Sequence, residues 1–169
     1  MRITFKKIIL FFTILFISGC GKKEISSDSL IEKNGIIYLY NDSDKSYTGR
    51  VTDKYENNQI KYEGNYLSGE KNGQWIYYFE NGNIKLESNY LEGKKYGSWI
   101  FYNKTGNIDW VQNYDEDKKD GEWLFYNKFG DLRAVKNYVD GKKDGESIVY
   151  SIDGAIIESS LYRNGRKVK

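Results

Sequence analysis

Apolar and polar positions alternate along most of this chain, and the alternation restarts at a fixed interval. In QWIYYFE, residues 74–80, every second position is aromatic; in NIKLESNYL, residues 83–91, every second position is apolar or small. Period-two alternation over runs of this length predicts half-buried strands. Between them stands Asn81-Gly82, a pair suited to a two-residue type I′ turn because both residues tolerate positive φ. The block therefore predicts a β-hairpin, and it recurs. Gly49, Gly73, Gly97, Gly121 and Gly145 fall at a period of 24 residues. Trp75, Trp99 and Trp123 stand two after that glycine, and Tyr78, Tyr102, Tyr126 and Tyr150 five after it. Tyr66, Tyr90, Tyr114, Tyr138 and Tyr162 fill one column, and Ile60, Ile84, Ile108, Leu132 and Ile156 another. Gly69, Gly93, Gly141 and Gly165 mark the connections into the next hairpin, with Asp117 in place of glycine in the third unit. A fixed period of this length is the signature of a repeat architecture.

The turn decides which side chains share a face. A two-residue loop sets Tyr77 opposite Leu86, Phe101 opposite Trp110 and Phe125 opposite Ala134. One face then carries Trp75, Trp99 and Trp123 with the Ile84 and Tyr90 columns. The other carries Ile76, Ile100, Leu124 and Ile148 with Tyr78, Tyr102, Tyr126 and Tyr150. A three-residue loop exchanges these assignments. The expected fold is all-β: an elongated single-layer antiparallel meander of about five 24-residue hairpins over 49–168. Ten strands span roughly 48 Å. Such a sheet buries its faces poorly, so part of it must curl on itself, dimerise or meet a partner. The end units are atypical, as caps are: the first has Asn57-Asn58 at its turn, and Ser147 replaces Trp in the last. The segment 35–48 is read as an N-terminal capping region, with IIYLY at 36–40 as an extra strand over the first edge.

Composition sharpens this picture at the N-terminus. Residues 1–19 place Arg2, Lys6 and Lys7 before an apolar run at 8–17. That run is short for a membrane span and right for a secretory leader. Ile17-Ser18-Gly19-Cys20 follows, and it resembles the lipobox of bacterial lipoprotein signal peptides. The resemblance implies cleavage before Cys20 and diacylglycerol on its sulfur. Two or more acyl chains give stable anchoring. Residues 20–34 then read as the lipidated Cys and a polar tether. By the same resemblance, Gly21 after the Cys favours the outer membrane in a diderm; in a monoderm the site is the outer face of the plasma membrane. Removing Arg2, Lys6 and Lys7 from 26 basic residues leaves 23 against 24 acidic ones, a net charge of −1. The pI of 8.4 thus belongs to the leader, and no nucleic-acid partner is expected.

Tyr90-x-x-Gly93-x-x-x-Gly97-x-Trp99-x-x-Tyr102-x-x-x-Gly106 resembles the bacterial variant of the MORN repeat (membrane occupation and recognition nexus). The resemblance covers about 47–168 and implies an elongated meander of hairpins. It also implies association with scaffolding, dimerisation and membrane proximity, and, for bacterial relatives, antitoxin-like labels. Lipid-kinase names carried over from plant enzymes with such arrays do not suit this chain, which lacks a phosphate loop and a catalytic Asp/Asn constellation.

Candidate chemistry is sparse. With no His, the commonest general base and metal ligand is missing. A single Cys excludes an internal disulfide. Asp115, Glu116, Asp117 and Asp120 fail the EF-hand spacing, since Lys119 holds the third ligand position. No metal and no cofactor are expected, and no catalytic residue is identified. The paired Lys94-Lys95, Lys118-Lys119 and Lys142-Lys143, with Lys71 and Arg166-Lys167, read as solvated turns neutralised by nearby acids. Trp75, Trp99, Trp123, Tyr66, Tyr90, Tyr114, Tyr138 and Tyr162 read as repeat-core aromatics. Tyr78, Tyr102, Tyr126 and Tyr150 read as an interaction surface, tyrosine being favoured at interfaces. The resulting expectation is a non-catalytic, membrane-tethered scaffold with a protein partner; homodimerisation is a further expectation. The alternative is an antitoxin or immunity-type component that neutralises a toxin.

Overall fold

The computed structural model describes residues 24–169. The leader and Cys20 lie outside the described residues. Five antiparallel hairpins follow one another in a single open sheet. They pair Gly49–Lys54 with Ile60–Leu67, Gly73–Tyr78 with Ile84–Leu91, and Gly97–Tyr102 with Ile108–Asp115. Gly121–Tyr126 pairs with Leu132–Val139, and Lys142–Tyr150 with Ile156–Arg163. Each return strand also pairs with the first strand of the next hairpin, as at Tyr62↔Tyr77 and Trp110↔Phe125. Every unit therefore leans chiefly on its neighbours, as in other solenoids.

The type I′ turn expected at the hairpin tips lies elsewhere. Asn81-Gly82 does not form a type I′ turn. Gly82 N–H donates to the Phe79 carbonyl at 2.9 Å, and Phe79 N–H to the Asn83 carbonyl at 2.8 Å. Only Gly82 takes positive φ (85°). This is a three-residue loop, a type I turn closed by a left-handed glycine. Corresponding positions hold Thr105 and Phe129, which resist the two successive positive φ values of type I′. In the first unit Asn58 supplies the left-handed residue at φ 68°. The type I′ geometry lies instead at the junctions. There Ser68-Gly69, Glu92-Gly93, Glu116-Asp117, Asp140-Gly141 and Asn164-Gly165 all have two consecutive positive φ values.

A three-residue loop alone would have swapped the faces. A β-bulge at each hairpin swaps them back. Tyr78 pairs with Ile84 while Tyr77 pairs with Leu86, which leaves Lys85 as the extra residue. The same shift recurs at Phe101/Tyr102, Phe125/Tyr126 and Val149/Tyr150. The expected pairs Tyr77↔Leu86, Phe101↔Trp110 and Phe125↔Ala134 are present. The Ile84 column is the correction: its partners are Tyr78, Tyr102, Tyr126 and Tyr150, not residues of the Trp75 face.

The N-terminal cap differs in two respects. Ile25–Ser26 and Leu30–Lys33, within the segment read as a tether, are strands joined by a short 3-10 turn at Ser27–Ser29. Ile25–Ser26 runs parallel to Val51 and Thr52 and covers the first edge. Ile36–Leu39 does not cover that edge. It is the middle strand of a separate sheet, between Leu30–Lys33 and Asp42–Ser46. The Asn34-Gly35 turn, with φ 52° and 81°, folds it back on Leu30–Lys33, and it meets the array at the first junction, where Ile37 N–H donates to the Gly69 carbonyl at 3.0 Å. Among the described residues, no helix is long and apolar enough to cross a membrane.

Candidate interaction surface

Seen from the side chains, the two faces of the sheet are unlike. On the inner face an aromatic ladder runs through the array. Tyr47, Tyr66, Trp75, Tyr90, Trp99, Tyr114, Trp123 and Tyr138 follow one another with centroids 5.0–6.4 Å apart. Their planes are mostly edge-to-face or tilted, the arrangement that aligns ring edges with the electron-rich faces. Trp75, Trp99 and Trp123 are buried, at 1%, 7% and 5% exposure. Each indole N–H finds a backbone acceptor, the carbonyls of Asn65, Asn89 and Asn113, at 3.1, 3.1 and 2.9 Å. The ladder stops where Ser147 replaces Trp, so Tyr162 stands outside it under the Lys143 ammonium at 4.7 Å.

A single sheet buries these indoles because the junction hairpins fold over them. The second residue of each junction pair points its ammonium onto the rings. Lys71 Nζ lies 4.3 Å from the Trp75 centroid and 5.0 Å from that of Tyr90. Lys95 repeats this over Trp99 and Tyr114, and Lys119 over Trp123 and Tyr138. The sequence pattern reads these lysines as solvated turn residues; they are instead a half-buried roof. Their stems cover apolar surface while their ammonium groups meet the negative ring faces. Lys71 also donates to the Tyr77 hydroxyl at 2.7 Å. Burial pulls its ammonium below the ordinary lysine value. The signal was present in the sequence, since Lys71, Lys95 and Lys119 all stand four before a Trp. The first lysine of each pair does behave as expected: Lys94 pairs with Glu116 at 3.3 Å, and Lys118 with Asp140, all exposed.

The outer face carries Ile76, Ile100, Leu124 and Ile148 beside Tyr78, Tyr102, Tyr126 and Tyr150, all half-buried. Its tyrosines fall into two classes. Tyr78 Oη donates to Glu63, and Tyr102 Oη to Glu87, both at 2.7 Å. Burial, and then these carboxylates, push both phenols up to about 12. Glu63 also receives the Arg50 guanidinium. One unit further on, Val111 and Val135 replace the glutamate, 15 residues before Tyr126 and Tyr150. Those two hydroxyls have no side-chain acceptor among the described residues, and burial raises the Tyr126 phenol. The outer strip therefore changes along its length from tied phenols to untied ones among Val111, Leu124 and Ile148.

The acidic group at Asp115, Glu116, Asp117 and Asp120 is used by the junction turns. Asp117 Oδ1 accepts the Lys95 N–H at 2.8 Å, and Asp120 Oδ2 accepts the Asp140 N–H at 3.1 Å. Among the described residues, no three acidic or cysteine side chains are grouped to hold a metal ion.

Residues 47–67 and 71–92 match the family model described as a MORN repeat variant. Repeats of this kind are generally protein- and membrane-interaction motifs built as scaffolds. No curated protein matches the chain.

Proposed function

We propose that this MORN-like array is a non-catalytic scaffold, held at a bacterial envelope membrane by a lipidated Cys20, that presents its outer tyrosine face to a protein partner. The observation that carries the reading is the asymmetry of the sheet. Its inner aromatics are covered by the chain's own lysines, whereas Ile76, Ile100, Leu124 and Ile148 with the four tyrosines have no covering layer among the described residues. The strip is half-buried, and its tyrosines belong to the residue type enriched at interface centres. The anchor supplies location: residues 1–20 combine a basic start, a short apolar run and a lipobox-like Cys.

Two measurements test the proposal. Cys20→Ala is expected to abolish acyl labelling and membrane retention; unchanged labelling would remove the anchor from the reading. Affinity purification from membranes is expected to recover a partner with the wild type and lose it with Tyr126→Asp plus Tyr150→Asp. These two positions are chosen because their hydroxyls hold no carboxylate, so the fold has least to lose. Recovery equal to the wild type, with unchanged circular dichroism, would remove the tyrosine face from the reading.

A further inference from the structure

Four Asn-Gly pairs stand in the chain, at 34–35, 72–73, 81–82 and 164–165. In such a pair no side chain on the second residue shields its backbone nitrogen from the asparagine carboxamide. The fold treats the four very differently. At 81–82, Gly82 N–H is held by the Phe79 carbonyl at 2.9 Å, and the Asn81 carboxamide accepts the Asn83 N–H at 3.1 Å while donating to the Lys104 carbonyl at 3.3 Å. At 164–165, Gly165 N–H donates to the Lys143 carbonyl at 2.8 Å, and Asn164 N–H to Asp144 Oδ2 at 2.9 Å. Asn72 is half-buried; its N–H donates to the Asn65 carbonyl at 2.9 Å, and its side-chain oxygen faces the Glu92 N–H at 3.5 Å.

Asn34-Gly35 has none of this. Both residues are exposed at the tip between Leu30–Lys33 and Ile36–Leu39. Among the described residues, neither the Asn34 carboxamide nor the Gly35 N–H is hydrogen-bonded, and a Cβ added at Gly35 would meet nothing within 4 Å. We infer that Asn34 is a site of spontaneous covalent modification. The Gly35 backbone nitrogen attacks Cγ of Asn34, the new C–N bond forms, and the carboxamide nitrogen leaves as ammonia with the displaced proton. Water then opens the cyclic imide at either carbonyl, giving aspartate or isoaspartate.

The isoaspartate product matters to the fold. It adds a main-chain carbon to a two-residue turn, which can no longer hold Lys33 opposite Ile36. The small sheet behind that turn is tied to the array through Ile37 N–H to the Gly69 carbonyl at 3.0 Å and Tyr47 N–H to the Ile37 carbonyl at 2.8 Å. Modification at Asn34 therefore loosens the N-terminal cap as the protein ages.

The test is to incubate the full chain at mildly alkaline pH and follow each pair by peptide mass mapping and isoaspartyl methyltransferase labelling. Asn34 is expected to convert roughly tenfold or more faster than Asn81 and Asn164, because those sites must first open two or more hydrogen bonds. In concentrated urea the rates are expected to converge. Equal rates for Asn34 and Asn81 in the folded protein, or an order unchanged by urea, would overturn the assignment. Hydrogen exchange at Ile36–Leu39 in the converted fraction reads the consequence: faster exchange is expected, and unchanged exchange would overturn the link to the cap.

Discussion

Gly64 shows how one position sets its neighbours. It lies buried beneath the Trp75 indole, and a methyl group there would overlap the ring. The indole can sit that low only because the column supplies glycine in the first unit and a buried Ser88 in the second. Trp99 occupies the matching place in the middle of the ladder, in contact with Tyr90, Tyr114 and Lys95. Trp99→Ala is expected to cost about 3–5 kcal/mol in urea unfolding. Tyr126→Phe, which deletes a hydroxyl with no side-chain partner, is expected to stay within about 0.5 kcal/mol. A small loss at Trp99 would show that the ladder is not the core. Glu63 gives a residue-scale pH prediction. Burial raises its carboxyl, but the hydrogen bonds from Tyr78 and Arg50 outweigh this and hold it below its ordinary 4.5. Its contribution to stability is therefore complete above that ordinary value and is lost as pH falls through the lower folded value. Tyr78→Phe is expected to flatten this acid-side dependence, measured as the difference in urea midpoint between neutral and acidic buffer; an unchanged slope would rule the Tyr78 bond out as its cause.

At the scale of the element, the 24-residue hairpin was legible because strand alternation and turn residues repeat together. The cross-strand partners followed from it, but by compensation: a loop one residue longer than expected and a bulge of one residue cancel. Nothing in the alternation announces a bulge, since Ile84, Lys85 and Leu86 continue the pattern on paper. The junction type I′ turns could have been read from Asp140-Gly141 and Asn164-Gly165, which carry the favoured residues. Glu92-Gly93 and Glu116-Asp117 hide that signal. Gly93 and Gly82 both hold positive φ, at 77° and 85°. A β-branched side chain at either is expected to cost about 1–3 kcal/mol. Gly93→Val adds a second effect, because the Gly93 N–H to Lys71 carbonyl bond, 2.9 Å, links consecutive junctions. Hydrogen exchange in Gly93→Val is therefore expected to rise at Glu70–Lys71 as well as at Lys94–Lys95; a change confined to the mutated turn would show the junctions to be uncoupled. The lysine roof is hidden in the sequence for a related reason. Charge on a turn usually means solvent, and only the folding of the junction hairpins back onto the return strands brings Lys71, Lys95 and Lys119 over the rings.

For the whole molecule, near-neighbour coupling makes stability roughly additive along the array. Deleting 97–120 joins Tyr96 to Gly121 with the period intact. The shortened chain is expected to keep its β-type circular dichroism, with a urea m-value lowered in proportion to the surface lost; a collapse to an unfolded spectrum would show coupling well beyond neighbours. The same additivity leaves the outer face free to vary by unit. Glu63 and Glu87 tie their tyrosines, while Val111 and Val135 leave the later ones untied. One measurement separates recognition from structure on the two faces. A photo-crosslinking residue is placed at Tyr126, on the outer face, and in a second variant at Lys136, opposite Trp123 on the inner face. Both variants are irradiated in native membranes. Partner adducts from position 126 with none from 136 are the predicted result; adducts from 136 alone would contradict the assignment of the tyrosine face as the contact surface.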